Sequence, residues 1–206
     1  GLFHDTTYTL TVYARSGDTN VLDLVASAPS SVSTASIFST ATDGFSGTVM
    51  NTSKYTATAS PNGTINQNDG INMTGNVVNE VVWNVVTLND RLDFSQNFTI
   101  SLDVNMVASV TDGEAVAILG IEDPATVGTS QPTSTAVVAE MSQGVAGPAS
   151  LSLQNSAGAT VTTDANGNPA TVPSTTGTLV LSFDKDMGVL TFSFAGTTIS
   201  IQQPAG

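Results

Sequence analysis

Apolar and polar residues alternate along much of this chain, which is the signature of strands with one buried face. The clearest stretch is NFTISLDVNMV, residues 97–107. Phe98, Ile100, Leu102, Val104 and Met106 share one face, and Thr99, Ser101, Asp103 and Asn105 share the other. The C-terminal quarter reads as a meander: TLVLSF (178–183), a turn at DKDMG, VLTFSF (189–194), a turn at Ala195-Gly196, and TTISI (197–201). NVLDLVA (20–26), VVNEVVW (77–83), AVAILGI (115–121), STAVVAEM (134–141) and ASLSLQ (149–154) are further predicted strands.

Helical periodicity is weak. β-branched residues are abundant and Lys, Arg and Glu are scarce, so intrinsic preference also favours strands. PNGTINQNDG (61–70) and TDANGNPATVPSTTG (163–177) read as Gly/Asn/Pro-rich loops. Many short strands separated by turns predict an all-β protein, a single jelly-roll-like β-sandwich over residues 17–206 with an N-terminal donor strand or arm over 1–16.

The arm raises its own question. GLFHDTTYTLTVYA carries Tyr8, Leu10, Val12 and Ala14 at alternate positions. Such a strand can pair within its own sheet. It can equally leave and add to the sheet of a neighbour, where main-chain hydrogen bonds give affinity and alternate side chains fill pockets. A strand donated head-to-tail builds a filament when the rotation between copies does not close. Phe3, Tyr8, Leu10 and Val12 are the candidate donor side chains. Phe98, Ile100, Leu102, Leu179, Leu181, Phe192 and Phe194 are candidates for the groove floor or for ordinary core.

Composition narrows the partners. Arg15, Lys54, Arg91 and Lys185 stand against 17 acidic residues, a net charge of −13. Nucleic acid and anionic membrane surfaces need the opposite balance. With charged residues at only 10% of 206, the polar surface must come from Thr, Ser, Asn and Gln, a pattern of secreted and cell-surface proteins. Gly1 as first residue is what removal of a secretory signal leaves, and a cut through a longer chain looks the same. Asn51, Asn62, Asn72 and Asn97 each open an N-x-[ST] sequon, a glycan acceptor in a secreted chain. There is no cysteine, and no apolar run reaches the 18 residues or so of a membrane helix.

Candidate chemistry is sparse. His4 is the only histidine, so a Ser-His-Asp triad would have to use it, and a tight zinc site lacks ligands. Asp103, Glu114, Glu122 and Asp123 could supply a carboxylate pair, but one Trp and three Tyr make a poor sugar cleft. The chain is therefore not read as an enzyme, and Trp83 is read as core. Calcium is the one cofactor with a sequence signal, since it takes oxygen ligands. Asp164, Asn166 and Asn168 have a D-x-N-x-N spacing, without the glycine and terminal glutamate of an EF-hand. Asp90 and Asp93 lie in a second oxygen-rich stretch.

The first 24 residues resemble mature TasA/camelysin-type proteins: Gly1-Leu2-Phe3-His4-Asp5-Thr6, then Gly17 followed by Val21-Leu22-Asp23-Leu24. The resemblance implies an extracellular fibre subunit on a jelly-roll scaffold. It implies head-to-tail homopolymers linked by donor strands, as in archaeal bundling pili, threads and cannulae, some with calcium between subunits. A second expectation is a secreted lectin-like module, for which FTISLDVNMVASVTDGEAVAILGI supplies two long strands around a D-G turn.

Overall fold

The computed structural model describes residues 7–10, 13–15, 24–26, 30–33, 44–75, 82, 84–88, 92, 94–107, 114–122, 136–144 and 147–204. The chain forms two compact units, Gly1–Thr42 and Asp43–Gly206. Sequence pattern placed its division after residue 16, within the first of them.

The first unit carries β1 (Thr7–Leu10), β2 (Tyr13–Arg15), β3 (Leu24–Ala26) and β4 (Ser30–Ser33). β1 pairs antiparallel with β4, Tyr8 opposite Val32 and Leu10 opposite Ser30. β2 pairs antiparallel with β3, Arg15 opposite Leu24. Two residues separate Leu10 from Tyr13 and three separate Ala26 from Ser30, so the two ladders differ in register by one residue. The opening strand is thus paired within its own chain.

The second unit begins with two hairpin-like pairs. β5 (Tyr55–Ala59) pairs with β8 (Asn84–Leu88), and β6 (Gly63–Gln67) pairs with β7 (Ile71–Gly75). The loop expected over 61–70 is therefore half strand. Its Thr, Asn and Gln residues pair without burying a continuous apolar face, so periodicity could not show it. Of VVNEVVW (77–83), only Val82 lies among the described residues, and strand structure runs from Asn84 to Leu88.

A clasp fixes the start of this unit to the β6–β7 turn. Gly47 N donates to Asp69 Oδ1 at 2.8 Å and Gln67 Nε2 to the Ser46 carbonyl at 2.8 Å. Asp69 N and Gly70 N donate to the carbonyls of Gly47 and Phe45, at 3.1 and 3.0 Å. Phe45 and Asp69 both hold φ at 48°, a left-handed conformation that costs a non-glycine residue about 1–2 kcal/mol and is offset here by those bonds.

The rest of the unit is a β-sandwich. One sheet has the order β17 (Thr197–Gln202), β16 (Val189–Phe194), β15 (Thr176–Asp184), β9 (Phe98–Asn105). The other has the order β10 (Glu114–Ile121), β11 (Val137–Gly144), β12 (Ala149–Gln154), β13 (Thr160–Val161), with β14 (Thr171–Val172) also on β12. All pairings are antiparallel, and no helix occurs among the described residues. Within the sandwich, pairings join strands consecutive in sequence, except that β9–β15 and β12–β14 are the non-sequential pairings among the described residues.

Alternation explains the core. Met141, Leu151 and Leu153 from one sheet meet Leu179, Leu181, Leu190, Phe192, Phe194 and Ile199 from the other, all at 1% exposure or less. The groove-floor candidates Leu179, Leu181, Phe192 and Phe194 are thus sandwich core. Gly177 is needed where it stands: its φ is +156°, and a Cβ there would lie 3.2 Å from the Phe194 ring.

Candidate assembly interface

The two flanks of the sandwich differ. On one, β17 lies against β12 and β13, and polar side chains stitch the sheets together. Asn155, only 5% exposed, donates from Nδ2 to the Gln202 carbonyl at 2.7 Å. Its Oδ1 accepts from Ala157 N at 3.1 Å and Ala159 N at 3.0 Å. Gln203 adds bonds to Ser156, and Thr197 Oγ1 donates to the Thr171 carbonyl at 2.9 Å. Both the nitrogen and the oxygen of the buried amide are hydrogen-bonded, as burial of a polar group requires.

Among the described residues the other flank is open. β9 ends one sheet and β10 ends the other, and among the described residues neither has a strand paired on its outer side. The two are consecutive in the chain, so both edges lie at the side where the sequence crosses between sheets. Exposure rises towards this flank. Leu179 and Leu181 on β15 are fully buried, whereas Ile100, Leu102 and Val104 on the neighbouring β9 are half-buried. On β10, Ala117, Leu119 and Ile121 are half-buried too, although they pack on the same core. Two eight-residue strands with partly uncovered apolar rows thus form the sheet edges at this flank.

The outward face of the first sheet is polar and almost uncharged. Thr99, Ser182, Thr191 and Ser200 form one row across its four strands. Asp103 accepts from Thr178 Oγ1 at 2.5 Å, and Asn105 from Thr176 Oγ1 at 2.8 Å. A shallow depression of about 380 Å3 lies at one end, lined by Asn97, Thr99, Asp184, Met187 and Thr191 among others. Its rings, Phe98 and Phe183, are 8% and 6% exposed, so neither offers a face for a sugar to stack on.

The D-x-N-x-N stretch is a turn. Asp164 Oδ1 accepts from Asn166 N and Asn168 N, both at 2.9 Å, and Gly167 N donates to the Asp164 carbonyl at 3.0 Å. The Asn168 amide, with the Asn166 amide and both Asn side chains adding to it, holds the Asp164 carboxyl below the ordinary range; partial desolvation opposes this. Asn155-Ser-Ala-Gly-Ala makes the same pattern with alanines in place of both asparagines. The spacing is thus accounted for by an Asx turn closed by glycine, Gly158 at φ 79° and Gly167 at 81°. A single carboxylate already receiving two amides falls far short of the six to eight oxygens, roughly, that Ca2+ takes. No cluster of three or more His, Cys, Asp or Glu occurs among the described residues.

Of the donor residues, Tyr8 and Leu10 fall in β1, while Phe3 and Val12 lie outside the described residues, as do His4, Trp83, Asp90, Asp93 and Asp123. Asn51, Asn62, Asn72 and Asn97 are all exposed. Asn51 Oδ1 accepts from Ser53, and Asn97, just before β9, accepts from Lys185 N at 2.8 Å. Sequence reasoning missed Asn155, for which the only signal was a polar residue closing the ASLSLQ alternation. It also missed the half-open row on β10, since pairing order is not written in local pattern. No protein-family model, curated protein or solved structure matches this chain.

Proposed function

We propose that this chain is the structural subunit of an extracellular filament, polymerising head-to-tail as the β1–β2 segment of one copy adds to the open flank of the next. The observation that carries this reading is that flank, with its two long edges and half-covered apolar rows beside a fully stitched opposite side. The donor need not give up its pairing within the chain. β1 and β2 use one side each for β4 and β3, and a strand has two hydrogen-bonding sides. A two-stranded ribbon is marginal in water and gains from a third strand. Covering several hundred Å2 of apolar surface at about 25 cal/mol per Å2 yields several kcal/mol before ordering costs. The exposed sequons and the Thr/Ser-rich, nearly uncharged sheet face support a secreted location. The TasA/camelysin-like opening residues support the same class of assembly.

Negative-stain electron microscopy of the purified chain and of a variant lacking residues 1–15 tests the reading. Filaments from the whole chain and monomers from the variant are expected. A wild-type chain that stays monomeric at high concentration, or a shortened chain that still polymerises, would refute it.

A further inference from the structure

We infer that the donor strand runs parallel to β9, in the register that sets Arg15 of one copy beside Asp103 of the next; this rests on the filament reading above. Two edges are open, and the donor's faces choose between them. By alternation Tyr8, Leu10, Val12 and Ala14 share one face, and Thr7, Thr9, Tyr13 and Arg15 share the other. β9 has the same division, with Ile100, Leu102 and Val104 half-buried inward and Thr99, Ser101, Asp103 and Asn105 exposed outward. β10 does not: Val116 and Ile118 alternate with Ala117 and Leu119, and all four are half-buried. A threonine row laid beside Val116 and Ile118 would set hydroxyls against apolar side chains, whereas beside β9 it extends a hydroxyl-lined face.

Charge then sets direction and register. Copies carrying −13 each repel, so a contact between them gains from a local pair of opposite sign. Arg15 is the only Lys or Arg in the first 53 residues, and Asp103 is the only carboxylate on β9. With these side by side and the strands parallel, Leu10 falls beside Phe98, Val12 beside Ile100 and Ala14 beside Leu102, so three apolar pairs line the first six residues of the edge, and residues before Leu10 precede it. With the same pair and the strands antiparallel, everything before Tyr13 runs past the end of β9 at Asn105, and Ser16 and Asp18 fall beside Leu102 and Ile100.

Charge reversal and rescue test the pairing, with the critical concentration for polymer as the readout and circular dichroism as the check of folding. Arg15→Asp and Asp103→Arg should each raise it about tenfold or more, since each sets like charges together, and the double variant should return it towards wild type. The chain has no cysteine, so the direction can be read by a short thiol crosslinker. Tyr13→Cys should join Ser101→Cys in the parallel register, and it would join Asn105→Cys in the antiparallel one. Filaments indifferent to both reversals, or crosslinks to Asn105→Cys, overturn this inference and leave the filament reading standing. Sensitivity to Asp103→Arg alone assigns the edge to another occupant, such as β9 of a second copy, and also overturns it. A wild-type chain that forms no polymer defeats the filament reading itself.

Discussion

Replacing Asn155 by aspartate changes one atom of a buried side chain and reverses its role towards Gln202. The wild-type Nδ2 donates to the Gln202 carbonyl at 2.7 Å from a site 5% exposed. An aspartate keeps the two bonds that Oδ1 accepts from Ala157 and Ala159, now charge-assisted. It puts an anionic oxygen where the donor was, facing a carbonyl oxygen. The lost bond costs about 1 kcal/mol and the unpartnered carbonyl about 1–3 kcal/mol more. Burial of the charge adds to this, and stronger amide bonds offset roughly 1 kcal/mol, leaving about 2–3 kcal/mol at neutral pH. The sign with pH is opposite to that of an ordinary salt-bridged aspartate. Burial and the facing carbonyl raise the folded-state pKa of Asn155→Asp above its unfolded value. The deficit is therefore full above the folded pKa and shrinks as pH falls towards the unfolded value near 4, roughly, where a protonated carboxyl donates again. Urea unfolding by circular dichroism at pH 7 and pH 5, each against wild type, measures it. Asn155→Ala, which cannot titrate, should show a deficit independent of pH. An Asn155→Asp chain as stable as wild type at pH 7 would refute the assignment of this flank as stitched by the buried amide.

Three further outcomes follow from the same geometry. Phe192→Ala should cost about 3–5 kcal/mol in urea unfolding of the monomer and Ile100→Ala about 1–2 kcal/mol, because only the first side chain is fully enclosed; equal costs would contradict the open flank. Gly177→Ala should lower stability by about 1–2 kcal/mol, seen as a fall of a few degrees in Tm, since the new Cβ meets the Phe194 ring at a φ that side chains avoid. The Asp164 carboxyl should titrate below its value in a peptide spanning residues 160–172 when followed by NMR, so its contribution is present above the unfolded pKa and lost as pH falls through the folded one. Equal midpoints would remove the turn from the list of ordered elements at low pH.

Local pattern specified the sandwich where one face of each strand is enclosed. TLVLSF, VLTFSF and TTISI map onto β15, β16 and β17 almost residue for residue, because enclosure forces strict alternation. It was silent where both faces are wet: β6 reads Gly-Thr-Ile-Asn-Gln, and its strand character comes from pairing with β7 rather than from a buried side. The candidate interface was half legible. The alternation of residues 97–107 showed a strand with two unlike faces, but its place at the end of a sheet depends on β15, some 70 residues later. The aspartate at 164 drew a calcium expectation because a turn that gathers amides and a loop that gathers a cation draw on the same short polar residues.

The clasp at Phe45–Gly47 has a mechanical meaning. The covalent chain leaves the Gly1–Thr42 unit and reaches these residues before any strand of the larger unit. Tension along the backbone from the first unit is therefore felt first by four hydrogen bonds to Gln67, Asp69 and Gly70, with β5 still beyond them. Phe45 and Asp69 are held there in a conformation they would leave if released. Opening the clasp would free Phe45–Gly47 from the β6–β7 turn without breaking any ladder of the sandwich.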